Sequence, residues 1–324
     1  MRDLHRYAMI CACLLLPSCE VMALCVGPKF VGVPSIVTFV STSGGYNVYD
    51  PGRFLQTVNF QVQAEATGVT CEYFVALSTG QSGDFNRRKL SQGANVLNYN
   101  AYTDAGNTIF KAPPTATQGE VISGSFPVAI ALTQTNNHSF FWTIVPQQIV
   151  PAQQAYYADA NLTLSLYTGT LLTSPQLVAS AAITFRALVE SNVDLSLVRS
   201  GAPFNINDTT QLIDFGELSS GEQRGFDLVV RSNNGYAVSM QSFNRQVMVH
   251  AEAPRVRDTV PYQVVLSGGG VDLSTGAPVQ VISGTGTTPA TGISFPIEFT
   301  VGNLSGTEAA GTYTDIVSVT VTAN

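Results

Sequence analysis

Charge is scarce in this sequence. Of 324 residues only 11 % are Asp, Glu, Lys or Arg, against roughly 25 % in an average soluble protein. Twenty-two acidic and 15 basic residues give a net charge of −7. No Lys/Arg cluster is present to meet phosphates, which excludes nucleic acid as a partner. The densest basic spot, Arg87-Arg88-Lys89, reads as the solvated face of a hairpin. Histidine is rarer still, with only His138 and His250 beyond the first few residues. No HExxH, GxSxG, P-loop or dinucleotide fingerprint occurs. Asp50 and Asp159 are a conceivable acid/base couple, but turn and strand-end hydrogen bonding is the simpler role for both. The sequence therefore reads as non-enzymatic, with no cofactor and no metal site.

Long apolar runs are also lacking, apart from YAMICACLLLP at Tyr7–Pro17, flanked by Arg2 and Arg6. That run is shorter than the about 20 residues of a spanning helix. With Val21-Met22-Ala23 after it, it reads as a secretion signal over residues 1–23, cleaved after Ala23. A lipoprotein signal ending at Cys19 is the rival. Of five cysteines, only Cys25 and Cys71 then remain, and in an oxidising compartment a pair reads as one disulfide. A loop of that length is stabilised by roughly 3–4 kcal/mol in the chain-entropy account.

No convincing amphipathic helix is present. What is there is short alternating runs punctuated by Gly, Pro, Asn and Asp, the pattern of a β-sandwich. The runs come in two series. CEYFVALS (71–78) is answered by GYAVSMQS (235–242), LNYNAYT (97–103) by VPYQVVL (260–266), FFWTIVP (140–146) by FPIEFTV (295–301), and YADANLTLSL (157–166) by YTDIVSVTV (313–321). Tyr157 and Asp159 thus match Tyr313 and Asp315. The expected fold is all-β, with two immunoglobulin-like sandwiches in tandem over 24–190 and 191–324. The first has a closing strand in Leu177–Val189. The second has nothing equivalent after GTYTDIVSVTV, read as one strand with Tyr313, Asp315, Val317, Val319 and Val321 on one face. The second sandwich is therefore expected to lack its closing strand. Its open edge, Tyr313, Val317, Val319 and Val321, would accept a strand from a partner.

YDP (Tyr49–Pro51), TC-x-Y (Thr70–Tyr73), L-x-Y-N-x-Y-T-D (Leu97–Asp104) and G-T-Y-T-D-x-V-x-V-T-V (Gly311–Val321) together resemble the spore coat protein U domain, the subunit fold of archaic, Csu-type chaperone–usher pili. The resemblance implies a periplasmic chaperone, an outer-membrane usher and an adjacent pilin subunit that donates a strand. With Leu24-Cys25 opening the mature chain, no free donor arm is expected. The implied protein is a tip adhesin, exported through the periplasm to the cell surface, that attaches to a hydrophobic or host surface and promotes biofilm. The resemblance places the binding surface in distal loops. Strand parity selects Thr168–Gln176, with Leu171, Leu172 and Pro175, the alternative being that both leucines are strand residues tucked into the core. A second candidate is Lys111–Gln118, with Ala112, Pro113, Pro114 and Ala116, the alternative being a plain solvated connector. The alternatives are a secreted coat or matrix protein and a free-standing lectin-like binder.

Overall fold

The computed structural model describes residues 27–65, 70–128, 133–171, 175–253 and 255–324. Alternating apolar residues between turn signals give ten strands among the described residues up to 187. They are β1 (Lys29–Val31), β2 (Ile36–Thr38), β3 (Gln56–Ala64), β4 (Cys71–Leu77), β5 (Lys89–Gln92), β6 (Asn95–Tyr102), β7 (Ile122–Phe126), β8 (Gln134–Ile144), β9 (Tyr157–Thr168) and β10 (Gln176–Ala187). Their hydrogen-bonded order is β1-β3-β8-β6-β5-β9-β10-β2, with β4 beside β9 and β7 beside β4. One core lies between the two halves of this sheet. Val58, Phe60, Phe140 and Trp142 meet Val75, Leu164, Ile183 and Phe185 there.

A second series follows: β11 (Val193–Val198), β12 (Gln223–Ser232), β13 (Tyr236–Ser242), β14 (Val247–His250), β15 (Thr259–Leu266), β16 (Gly269–Val271), β17 (Val279–Gly284), β18 (Ile293–Val301), β19 (Tyr313–Thr314) and β20 (Val317–Ala323). They form the sheet β11-β12-β18-β15-β14-β19, with β16 beside β15, and the sheet β17-β13-β20. Their own core includes Leu228, Val238, Met240, Tyr262 and Phe299.

The strand registers carry the repeat seen in the sequence. Tyr99 pairs with Ile144 as Tyr262 pairs with Val301. Tyr73 faces Gly124 across β4 and β7 as Tyr236 faces Gly284 across β13 and β17. Each tyrosine ring lies over its glycine, where a Cβ would collide with it. This fixes both pairs as small-on-large. Tyr73–Leu77 runs against Thr168–Leu164, and Tyr236–Met240 runs against Ala323–Val319. Leu162, Leu164 and Leu166 therefore correspond to Val317, Val319 and Val321.

Two expectations are corrected. Thr312–Val321 is not one strand. The ladder breaks at Asp315-Ile316, where the chain passes from β14 to β13. Asp315 turns inward to the Tyr262 and Ser242 hydroxyls and the Asn244 N–H, and these draw the backbone out of the ladder. Arg88 is not solvated but fully buried. Its guanidinium donates to the carbonyls of Leu77, Ser78 and Phe110 and to Asn100 Oδ1, and burial lowers its pKa to about 10. Asp50 and Asp159 have separate hydrogen-bond partners. Asp50 accepts from Gly52 N within its own turn, while Asp159 is buried among other donors. Cys71 is disulfide-bonded; the expected partner, Cys25, lies outside the described residues.

The two cores meet at a polar seam. The buried Asn233 side chain donates to the carbonyls of Val150 (3.3 Å) and Glu190 (2.7 Å) and accepts from Asn192 N. Arg231, ion-paired with Asp194 at 2.8 Å, lies between the rings of Tyr49 and Phe204.

His138 packs on Phe60 and accepts at Nε2 from Tyr73 Oη (2.8 Å), which in turn accepts from Asn136 Nδ2. Burial pushes its pKa below the ordinary 6.5. The unfolded chain then binds the proton more tightly, so stability is fully present above pH 6.5 and falls as the pH drops below it. Thermal unfolding at pH 7.5 and 5.5 should show the loss, and His138→Gln, which keeps an acceptor, should flatten the dependence.

Candidate functional site

In the first sandwich the outer edge of β9 is closed by β10. Leu162, Leu164 and Leu166 pair with Ile183, Ala181 and Ala179, and all three leucines are fully buried. β20 pairs with β13 on one side, and on the other no described strand pairs with it. Its inward residues Val317, Val319 and Val321 are only half-buried. β11 likewise pairs with β12 alone. Between β11 and β20 runs a groove of about 620 Å³. Leu195 and Leu197 form one wall, Val317 and Val319 the other, and Phe226, Met240, Tyr262 and Phe299 lie beneath. The connector Thr209–Phe215 flanks its mouth, with Leu212 90 % exposed. An apolar groove beside free backbone donors and acceptors matches an extended peptide, which can satisfy both.

A half-buried carboxylate anchors one end of the groove. Asp315 accepts from Tyr262 Oη (2.5 Å), Ser242 Oγ (2.6 Å) and Asn244 N (2.9 Å). Burial, then the bond to Asp315, raises the Tyr262 pKa well above the phenol range, so Tyr262 remains a donor. Asp159 makes the same bond to Tyr99 Oη at 2.8 Å, with burial again holding that phenol protonated.

The family model of the Spore Coat Protein U domain matches residues 45–167. The matched stretch lies within the first sandwich, which is similar to a Spore Coat Protein U domain. The match stops within β9, so the strand that closes the first sandwich, β10, lies outside the matched region. No curated protein matches the chain. Among solved structures, it is similar to a chaperone–tip adhesion subunit pre-assembly complex, CsuC–CsuE, from archaic chaperone-usher Csu pili of Acinetobacter baumannii (13 % identity, 89 % of this chain and 96 % of that one, TM-score 0.46). It is also similar to the CupB6 tip adhesin of Pseudomonas aeruginosa (12 %, 84 % and 86 %, 0.33) and to CfaE, the adhesive subunit of CFA/I fimbria of enterotoxigenic Escherichia coli (11 %, 90 % and 93 %, 0.31).

The first sandwich has a far end. Tyr157, at the start of β9, bonds the Pro151 carbonyl beside the polar seam. Its 12 residues then carry the chain roughly 37 Å away at about 3.4 Å per residue. There the β9–β10 connection lies beside Glu72, whose carbonyl accepts from Gly169 N. Leu177, Val178 and Val128 stand 56 %, 43 % and 56 % exposed near it.

The structure redistributes the expected loop residues. Leu172 lies outside the described residues, and Pro175 is half-buried. Leu171 packs with Ala112 and Ala116 on Phe74, Ala76 and Val121. The Lys111–Glu120 ion pair (2.6 Å) closes that segment. Ala112 and Ala116 are thus a cover over the outer face of β4, Pro113 is half-buried, and only Pro114 is exposed. β4 reads CEYFVAL, apolar on both faces, and such a strand needs cover on both. That run was the available signal. Leu177 and Val178 were read only as strand, and no signal placed Leu195, Leu197 or Phe215 opposite Val319.

Asp315→Ala should remove the shared acceptor of Tyr262 and Ser242 and cost about 2–4 kcal/mol, more than one hydrogen bond, because buried donors are left unpaired. Urea unfolding should show the loss in the second core, with the first unchanged.

Proposed function

We propose that the protein is a non-enzymatic tip adhesin of an archaic chaperone–usher pilus. The observation that carries this is the groove along β20, found where the sister sandwich holds β10. Residues 191–324 form the pilin-type domain. Its groove is held by a periplasmic chaperone strand during export to the usher, then by the donor strand of the adjacent pilin. Residues 24–190 form the binding domain, and its far end, with Leu177, Val178 and Val128 exposed, attaches to apolar or host surfaces and supports biofilm formation. The Spore Coat Protein U match supports the same reading, because its matched stretch ends before the closing strand.

Two measurements separate the halves of this proposal. Val319→Asp places a charge in the groove and should abolish co-purification with the chaperone and surface display; normal display contradicts the groove reading. Leu177→Asp with Val178→Asp should leave display intact and reduce attachment to polystyrene several-fold; unchanged attachment moves the binding surface elsewhere.

A further inference from the structure

The first sandwich contains its own closing strand, and the matching registers let that strand serve as a template for the empty place in the second. β10 runs antiparallel to β9 and turns Ala179, Ala181, Ile183 and Phe185 inward, level with Leu166, Leu164, Leu162 and Asp159. Phe185 is the largest of these. Its ring stacks on Trp142 at 4.4 Å and meets Tyr99 edge-on at 5.6 Å.

The same socket exists beside Asp315. Tyr99 corresponds to Tyr262, and two positions along the paired strand Trp142 corresponds to Phe299. Tyr262 and Phe299 both line the groove. Phe replaces Trp there, so the socket has at least the room that Phe185 fills.

At the other end the walls are lighter than in the first sandwich. Val319 and Val321 stand where Leu164 and Leu166 stand, and Leu195 stands where Phe30 stands, each on the corresponding strand pair. Alanines such as Ala179 and Ala181 would leave that end underfilled, and unfilled apolar volume is destabilising. Spacing also differs. β9 carries one residue more between Asp159 and Leu162 than the second sandwich has between Asp315 and Val317, and β10 shifts register there. A strand of strict period two fits β20 with no such irregularity.

We propose that the strand received by this groove runs antiparallel to β20 in unbroken alternation, with an aromatic side chain level with Asp315 and branched aliphatic side chains level with Val319 and Val321. This rests on reading the groove as an acceptor, and it deepens that reading by giving the partner strand an order of side-chain sizes.

The test uses the full chain and dye-labelled peptides based on residues 176–187, QLVASAAITFRA. All changes of size are made in the peptide, so the fold of the protein is untouched. Fluorescence anisotropy should show that Ala179→Val with Ala181→Val tightens binding about tenfold and that Phe185→Ala weakens it about tenfold, each equal to about 1.4 kcal/mol. The same residues in reversed order should bind less well than the parent. Protein carrying Val319→Asp should bind none of them, which places binding at β20. Equal affinity for all four peptides overturns the size order and leaves the acceptor reading standing. If no peptide binds, and none raises the unfolding temperature of the second core, the order and the acceptor reading both fall.

Discussion

A strand that turns aliphatic side chains inward must be covered at its edge as well as on its face, because its outer N–H and C=O groups require partners. β9 meets that requirement within the chain through β10, and Leu162, Leu164 and Leu166 are sealed. β20 has the same inward row in Val317, Val319 and Val321 and the same neighbour on one side, but no described strand on the other. Most of what distinguishes the two sandwiches follows from this one difference. It accounts for the groove, for the half-burial of the valines and for the exposed connector at the groove mouth.

The two sandwiches also share a device that sets where the edge begins. In each, a buried tyrosine on one sheet donates to an aspartate at the start of the edge strand. Burial keeps both phenols protonated, so neither bond depends on pH near neutrality. In the second sandwich Asp315 also captures Ser242 and Asn244 and pulls the chain out of one ladder and into another. The edge strand is thereby aimed along β13, and at Val317 and Val319 its outward side faces β11 across the groove.

Much of this was legible in the sequence, because period and punctuation are local. The strands, the two-fold repeat, the Tyr/Asp pairs and the inward valines of β20 could all be read from residue order. What escaped was set by distant partners. Arg88 sits in a basic run that looks solvated, yet four acceptors from three separate segments hold it in the core. Thr312–Val321 alternates without interruption in sequence, and only the hydroxyls of Tyr262 and Ser242 reveal that Asp315 breaks it. Ala112, Ala116 and Leu171 look like free loop residues until the two-faced β4 beneath them is seen. One wall of the groove was visible as a strand; the other, from β11 and the connector after it, is created by the fold.

The seam between the cores has a mechanical meaning. Asn233 is bonded to the carbonyls of Val150 and Glu190, two separate stretches of the first sandwich, and Arg231 is clamped between Tyr49 and Phe204. Tension between the far end of β9 and the groove is therefore shared by several parallel bonds and does not fall on the connecting peptide alone. Parting the two bodies therefore means uncovering the buried Asn233 amide and breaking its bonds, not merely swinging about a peptide hinge.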